Sequence, residues 1–235
     1  MNLVLLSPDD MVTDERARIT GRRLRHVLDV HRAGVGDELL VGLLGGKIGR
    51  GTVARLDEAV LEMDVRLDRD PPPGLPLTVV LALPRPKVLR RVLFTMTVMG
   101  VKRIVLVNAA RVEKSYWQSP FLQQDWILRQ LVLGLEQACD TVLPEVLLRK
   151  RFKPFAEDEL PGMCTDTIKL VAHPSGPDPC PREVTRPVTL AIGPEGGFVP
   201  FEIEKFRSLG FSVVHAGVRV LNVETAVSSL IARLF

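Results

Sequence analysis

The chain has 235 residues, 46% of them hydrophobic and 25% charged, with a formal net charge of +3. That length suits one large domain or two smaller ones of ordinary soluble composition, and no apolar run approaches the ~18 residues of a membrane span. Cys139, Cys164 and Cys180 are odd in number and form no C-x-x-C pair, which points to a reducing compartment and buried thiols, with no disulfide framework and no metal expected.

The first residues, MNLVLLSPDD, have no basic segment and turn acidic at once. They read as a cytoplasmic protein's start and not as a signal peptide. Residues 16–32 carry Arg16, Arg18, Arg22, Arg23, Arg25 and Arg32 against a single acid, Asp29, and a short helix is expected near Thr20–Val30. From Gly36 to Leu67, apolar positions are broken by glycine and charged turns, the pattern of strands in a small β-rich barrel. DRDPPPGLP, residues 68–76, cannot continue a helix or a central strand. A boundary is placed there, giving one domain over residues 1–70 and another over 75–235.

Beyond the seam the pattern changes. LTVVLALP reads as a buried strand, KVLRRVLFTMTVMG as a helix ending at Gly100, and RIVLVNAA as the next strand. FLQQDWILRQLVLGLEQAC is a long amphipathic helix, and PEVLL a short strand. Part of 152–182, rich in proline and acid, is expected to be loop. IKLVAHP, PVTLAIGPE and FSVVHAG are further strands, with helices over FEIEKFRSLG and VETAVSSLIARLF. Short all-apolar strands alternating with helices imply an α/β fold whose parallel sheet is covered on both faces. Residues 85–103 hold Arg85, Lys87, Arg90, Arg91, Lys102 and Arg103 and no acid. Two acid-poor basic clusters are either solvated helix faces or the footprint of a polyanion such as RNA.

The stretch AIGPEGGFVPFEIEKF, residues 191–206, puts a glycine turn between a strand and a helix. Ligands sit at such strand ends, and helix N-termini favour anions. Yet the turn lacks the lysine of a P-loop and the spacing of a dinucleotide fingerprint, and Glu195 would repel a pyrophosphate. An uncharged or cationic, phosphate-free ligand suits it better, and S-adenosylmethionine meets that description. A plain tight turn is the alternative. In HAGVRVLNVETAVSSL, Gly217 ends the next strand and Arg219 stands in an apolar stretch. Asn222 suits a helix N-cap and Glu224 the helix's first turn.

IGPEGGF followed by Glu202, and then GVRVLNVETA, resembles the RsmE family of ribosomal RNA uridine-N3 methyltransferases. Glu136-Gln137 at the end of the long helix, the Lys87 helix running to MGV, and His26, Arg32 and Gly36-Asp37 fit the same family. The resemblance spans nearly the whole chain. It implies an N-terminal PUA-like β-barrel and a C-terminal SPOUT domain, an α/β methyltransferase with a trefoil knot, in a cytoplasmic homodimer acting on 16S RNA of the small ribosomal subunit. It implies S-adenosylmethionine contacts from Ala172 and His173, from Ile192, Gly193, Glu195, Gly196, Gly197 and Phe198, and from Ala216, Gly217, Val220, Leu221, Glu224, Thr225 and Ala226. Arg219 is expected to stabilise charge on the target base, while Glu195 and Glu224 are the acids available as a base or to fix the loop. Arg22, Arg23, His26, Arg32, Arg85 and Lys87 are expected at the RNA. Val98, Asp140 and Asn222 depart from the family's glutamate and two arginines. These departures keep open an RNA-binding knotted protein with another target or without transferase activity. A nucleotide-dependent oxidoreductase is disfavoured by the absent acid and by Glu195.

Overall fold

A computed structural model describes residues 2–235. The chain divides into two compact units, Met1–Pro73 with Leu131–Leu143, and Gly74–Gln130 with Pro144–Phe235. The proline-rich seam lies where the first unit ends, but residues 131–143 return to that unit from the far side of it.

The first unit holds β1 (Val4–Leu6), β2 (Met11–Thr13), β3 (Arg16–Ile19), α1 (Gly21–His26) with a wider turn over Val27–His31, β4 (Glu38–Leu43), β5 (Ile48–Leu56) and β6 (Leu61–Arg69). Sheet order is β1-β4-β5-β6-β3-β2, antiparallel except for β1 beside β4. Alternating residues bury one face, where Ile19, Val41, Val53 and Met63 pack with Leu24 and Val27 of the helical segment. Leu3, Leu5 and Ile48 form a second cluster with Leu135, which is why residues 131–143 belong here. Asp140 is buried in that segment, its Oδ1 accepting the Val142 N–H at 2.9 Å. The aspartate therefore closes a turn inside the unit. The sequence did not announce β1–β3, whose strands of three or four residues are too short for a period to show.

The second unit contains β7 (Leu75–Ala82), α2 (Pro86–Val98), β8 (Val101–Val107), α3 (Gln124–Ala138, shared with the first unit), β9 (Glu145–Arg149), α4 (Phe152–Pro154), α5 (Leu160–Met163), β10 (Ile168–Ala172), β11 (Asp178–Pro179), β12 (Val188–Ile192), α6 (Pro200–Ser208), β13 (Ser212–His215) and α7 (Val223–Leu234). Its seven strands run β11-β13-β10-β12-β7-β8-β9, all pairs parallel. All five residues of β12 are buried, as a strand covered on both faces requires. α2 starts on Pro86, whose missing N–H costs nothing at that position, and buries Leu89, Val92, Leu93 and Met96. Part of 152–182 is loop as expected, at 164–167 and at 173–182 apart from the two residues of β11, while 152–163 is helical in short pieces. Pro154, Pro161 and Gly162 read as breakers, yet Pro161 sits in the first turn of α5, and Phe152, Phe155 and Leu160 anchor the segment in the core. Among the described residues, no helix is long and apolar enough to cross a membrane.

Candidate active site

β10 lies between β12 and β13, with Ala172 opposite Ile192 on one side and Val214 on the other. The segments leaving these three carboxyl ends line a cavity of about 200 Å³. Ala172 ends β10 and His173 and Pro174 follow it, Ile192 ends β12 and Gly193–Gly197 follow it, and Ala216, Gly217, Arg219, Val220 and Leu221 follow β13, while Val223, Ala226 and Leu230 of α7 add an apolar wall. Of the residues expected at a cofactor, Phe198, Glu224 and Thr225 lie outside this lining. Phe198 is buried against Phe206, ring centroids 5.1 Å apart. The Thr225 N–H is taken by Asn222 Oδ1 at 2.9 Å, so Asn222 caps α7.

The turn after β12 closes tightly. A Cβ on Gly193 would lie 3.0 Å from the Phe198 nitrogen, so any side chain there would press the turn's backbone apart. The N-terminus of α6, where a phosphate would sit, is already filled. Buried Glu202 accepts the Val199 N–H at 2.9 Å and the Ala110 N–H at 2.7 Å. A second anion there would meet a carboxylate with no water to screen it. The geometry therefore excludes a phosphate cradle more firmly than Glu195 does. It suits a ligand held by backbone groups and apolar side chains.

Glu195 is exposed, and its Oε1 accepts the backbone N–H of Arg85 at 3.0 Å. Arg85 is the N-cap residue of α2, whose first turn has no acid of its own. Glu195 thus supplies from another segment what an N3 glutamate supplies in a capping box. Glu224 is engaged as well, by Arg91 through Nη2 at 2.5 Å and Nε at 2.8 Å. Arg219 is exposed and has no hydrogen-bond or ionic partner among the described residues. It stands between Val218 and Val220, which are 94% and 80% exposed. His173 Nδ1 accepts the Ser175 N–H at 3.1 Å. Burial, then the charges of Arg111 and Arg207, hold its imidazole below the ordinary histidine range.

A family model described as an RNA methyltransferase domain matches residues 71–234. The chain belongs to this family. Over 235 residues it is 27% identical to the ribosomal RNA small subunit methyltransferase E of Treponema pallidum, covering 96% of this chain and 87% of that one. The Borreliella burgdorferi ribosomal RNA small subunit methyltransferase E 1 is 22% identical, with 96% and 94% covered. The crystal structure of ribosomal RNA small subunit methyltransferase E from Neisseria gonorrhoeae, bound to S-adenosyl methionine, superposes with a TM-score of 0.75 at 19% identity, covering 99% of this chain and 95% of that one.

In the RNA methyltransferase domain, Arg85, Lys87 and Arg90 at the start of α2 are exposed and carry no ion pair among the described residues. The first unit's basic cluster is largely committed internally. Arg22 pairs with buried Glu136 at 2.6 Å and Arg23 with Asp10 at 2.6 Å, while Arg16 and Arg18 face Asp64 and Glu62. Arg25 and Arg32 stay exposed, and His26 is half-buried with its ring edge-on to His31. Sequence reasoning passed over Arg111, whose guanidinium donates to the Gly196 carbonyl, and the Arg91 partner of Glu224. Arg111 had one visible signal, its place just past the carboxyl end of β8, whose last four residues are apolar.

Proposed function

We propose that the chain methylates N3 of a uridine in 16S ribosomal RNA, using S-adenosylmethionine bound in the cavity at the ends of β10, β12 and β13. The observation that carries this reading is a cavity walled by glycine turns and apolar side chains, its adjoining helix N-terminus filled by Glu202, with an unpaired arginine on its wall. These residues fit the cofactor: Leu221, Val223, Ala226 and Leu230 offer an apolar face for a purine, and the chain segments at Gly193–Gly197 offer backbone groups. When bound, the cofactor supplies an electrophilic methyl group.

The chain's own residues supply position and charge. Arg219 faces the negative charge that builds on the uracil oxygens as the N3 proton leaves. Glu195 shapes the loop, its Oε1 accepting the backbone N–H of Arg85. Glu224 fixes α7 to α2 through Arg91. Arg85, Lys87 and Arg90 meet RNA phosphates, with Arg25 and Arg32 of the first unit as further contacts. The first unit's sheet is consistent with a PUA-like barrel. A trefoil knot is favoured by the chain crossing from β12 to β13 on the far side of β10. Val218 and Val220, the most exposed large apolar residues described, favour a homodimer whose second copy covers their loop.

Calorimetric titration should show one S-adenosylmethionine bound per chain, and no heat of binding would sink the enzyme reading. Glu195→Ala should cost about 1 kcal/mol of stability, as lost helix caps do. Glu195→Gln, which keeps the acceptor, should hold turnover within about threefold. A Glu195→Gln variant as inactive as a dead enzyme would mean that the carboxylate does chemistry.

A further inference from the structure

The segment leaving β8 touches the glycine turn at two points. Glu202 is 2% exposed and joins the two segments, taking one N–H from Val199 and one from Ala110. One residue on, Arg111 Nη1 donates to the Gly196 carbonyl, and the Arg111 Cδ lies 2.9 Å from where a Cβ on Gly196 would stand. Arg111 is exposed, and the carbonyl it holds belongs to Gly196, which lines the cavity. The guanidinium therefore sits at the rim of the cavity.

We propose that Arg111 is a positioning residue for the cofactor loop, set in place by Glu202 through Ala110 and fixing the Gly196–Gly197 peptide in the cavity wall. The inference rests on the cavity being the S-adenosylmethionine site. Two successive glycines have more backbone freedom to lose than any other pair. A loop that must be ordered on binding gives up affinity, and a loop ordered beforehand keeps it. A charge-assisted bond to the one carbonyl between these glycines does that ordering, and the buried carboxylate of Glu202 holds the donor's own backbone still. Because Gly196 has no side chain, the arginine stem can lie against its Cα. Any larger residue at 196 would push the stem away.

The test is calorimetric titration of S-adenosylmethionine into the full chain and its variants, alongside steady-state kinetics on small-subunit RNA. Arg111→Ala should raise the cofactor Kd about three- to tenfold with KM for RNA unchanged, the range expected for one lost hydrogen bond. Arg111→Lys, which can still donate to the carbonyl, should recover most of that loss. In the Glu202→Gln background, where one of the two backbone bonds is lost, Arg111→Ala should cost less than it does alone, the mark of residues acting on one loop. A cofactor Kd within twofold in Arg111→Ala overturns the proposal. So does a loss confined to KM for RNA with a salt slope lower by about one, since that marks a phosphate contact. If the unsubstituted chain binds no cofactor, the functional reading falls with it, whereas unchanged affinity in Arg111→Ala removes this inference alone.

Discussion

Arg219→Ala is expected to slow methyl transfer by about 10²–10³-fold while leaving S-adenosylmethionine affinity within about threefold, the range seen when one charge-stabilising donor is removed from a reaction centre. The argument starts from exposure. Arg219 is a cation on the loop after β13, lining the cavity, with no carboxylate holding it among the described residues. A charge left free in solvent contributes little to stability, so its removal should hardly shift the folding equilibrium. In the proposed complex RNA would cover the loop and exclude water, and the same guanidinium would act at a much lower effective dielectric on the oxygens beside N3. Arg219→Lys keeps the charge but loses the planar fork, and an intermediate loss of about tenfold is expected. Single-turnover kinetics with saturating RNA read the rate, and calorimetry reads the affinity. A collapse of cofactor affinity in Arg219→Ala would mean that the arginine holds the cofactor and not the base.

Phe206→Ala should cost about 3–5 kcal/mol of unfolding free energy, the range for phenylalanine truncated in a close-packed core. Phe206 is 0% exposed, and its ring meets those of Phe152, Phe198 and Phe211 at centroid distances of 5.5, 5.1 and 5.1 Å. Three of its neighbours are rigid rings that collapse poorly into a vacated space, which keeps the cavity term large. Phe206→Leu refills much of the volume and should cost less than half as much. The effect reaches the site through Phe198, the last residue of the glycine turn and a neighbour of the same ring. Urea unfolding at pH 7 gives the stability. A Phe206→Ala loss below about 1 kcal/mol would show that the four rings do not form one packed unit.

Much of the second unit was legible because its strands are short and largely apolar: Val188–Ile192 is interrupted only by Thr189, and Val101–Val107 ends in the apolar run Ile104–Val107. With helical patterns on both sides, such runs read as strands of a covered parallel sheet. The glycine turns marked the cavity, since a chain that must close on itself at Gly193 leaves that glycine in the sequence. Less was legible where a contact joins distant segments. The apolar face of α3 looks the same whichever unit it packs against, so nothing in the sequence said that Leu135 would cover Leu3 and Ile48. Glu195 and Glu224 stood out as acids in site motifs, but their partners, a backbone N–H of Arg85 and the side chain of Arg91, lie more than a hundred residues away. Arg111 and the buried role of Glu202 were hidden in the same way, their partners Gly196 and Ala110 being 85 and 92 residues away. Asp140 and Asn222, noticed as departures from a family pattern, close a turn and cap a helix. Both carry short polar side chains that bond their own backbone two or three residues on.

The central claim is methyl transfer to one uridine, and one measurement tests it directly. Small ribosomal subunits from a strain lacking this protein are incubated with the purified chain and S-adenosylmethionine carrying a labelled methyl group. The 16S RNA is then digested, and the labelled nucleoside is identified and mapped. The predicted result is a single labelled site at which the methyl group is on N3 of uridine. Label on another base, on another atom of uridine, or nowhere in the RNA would contradict it.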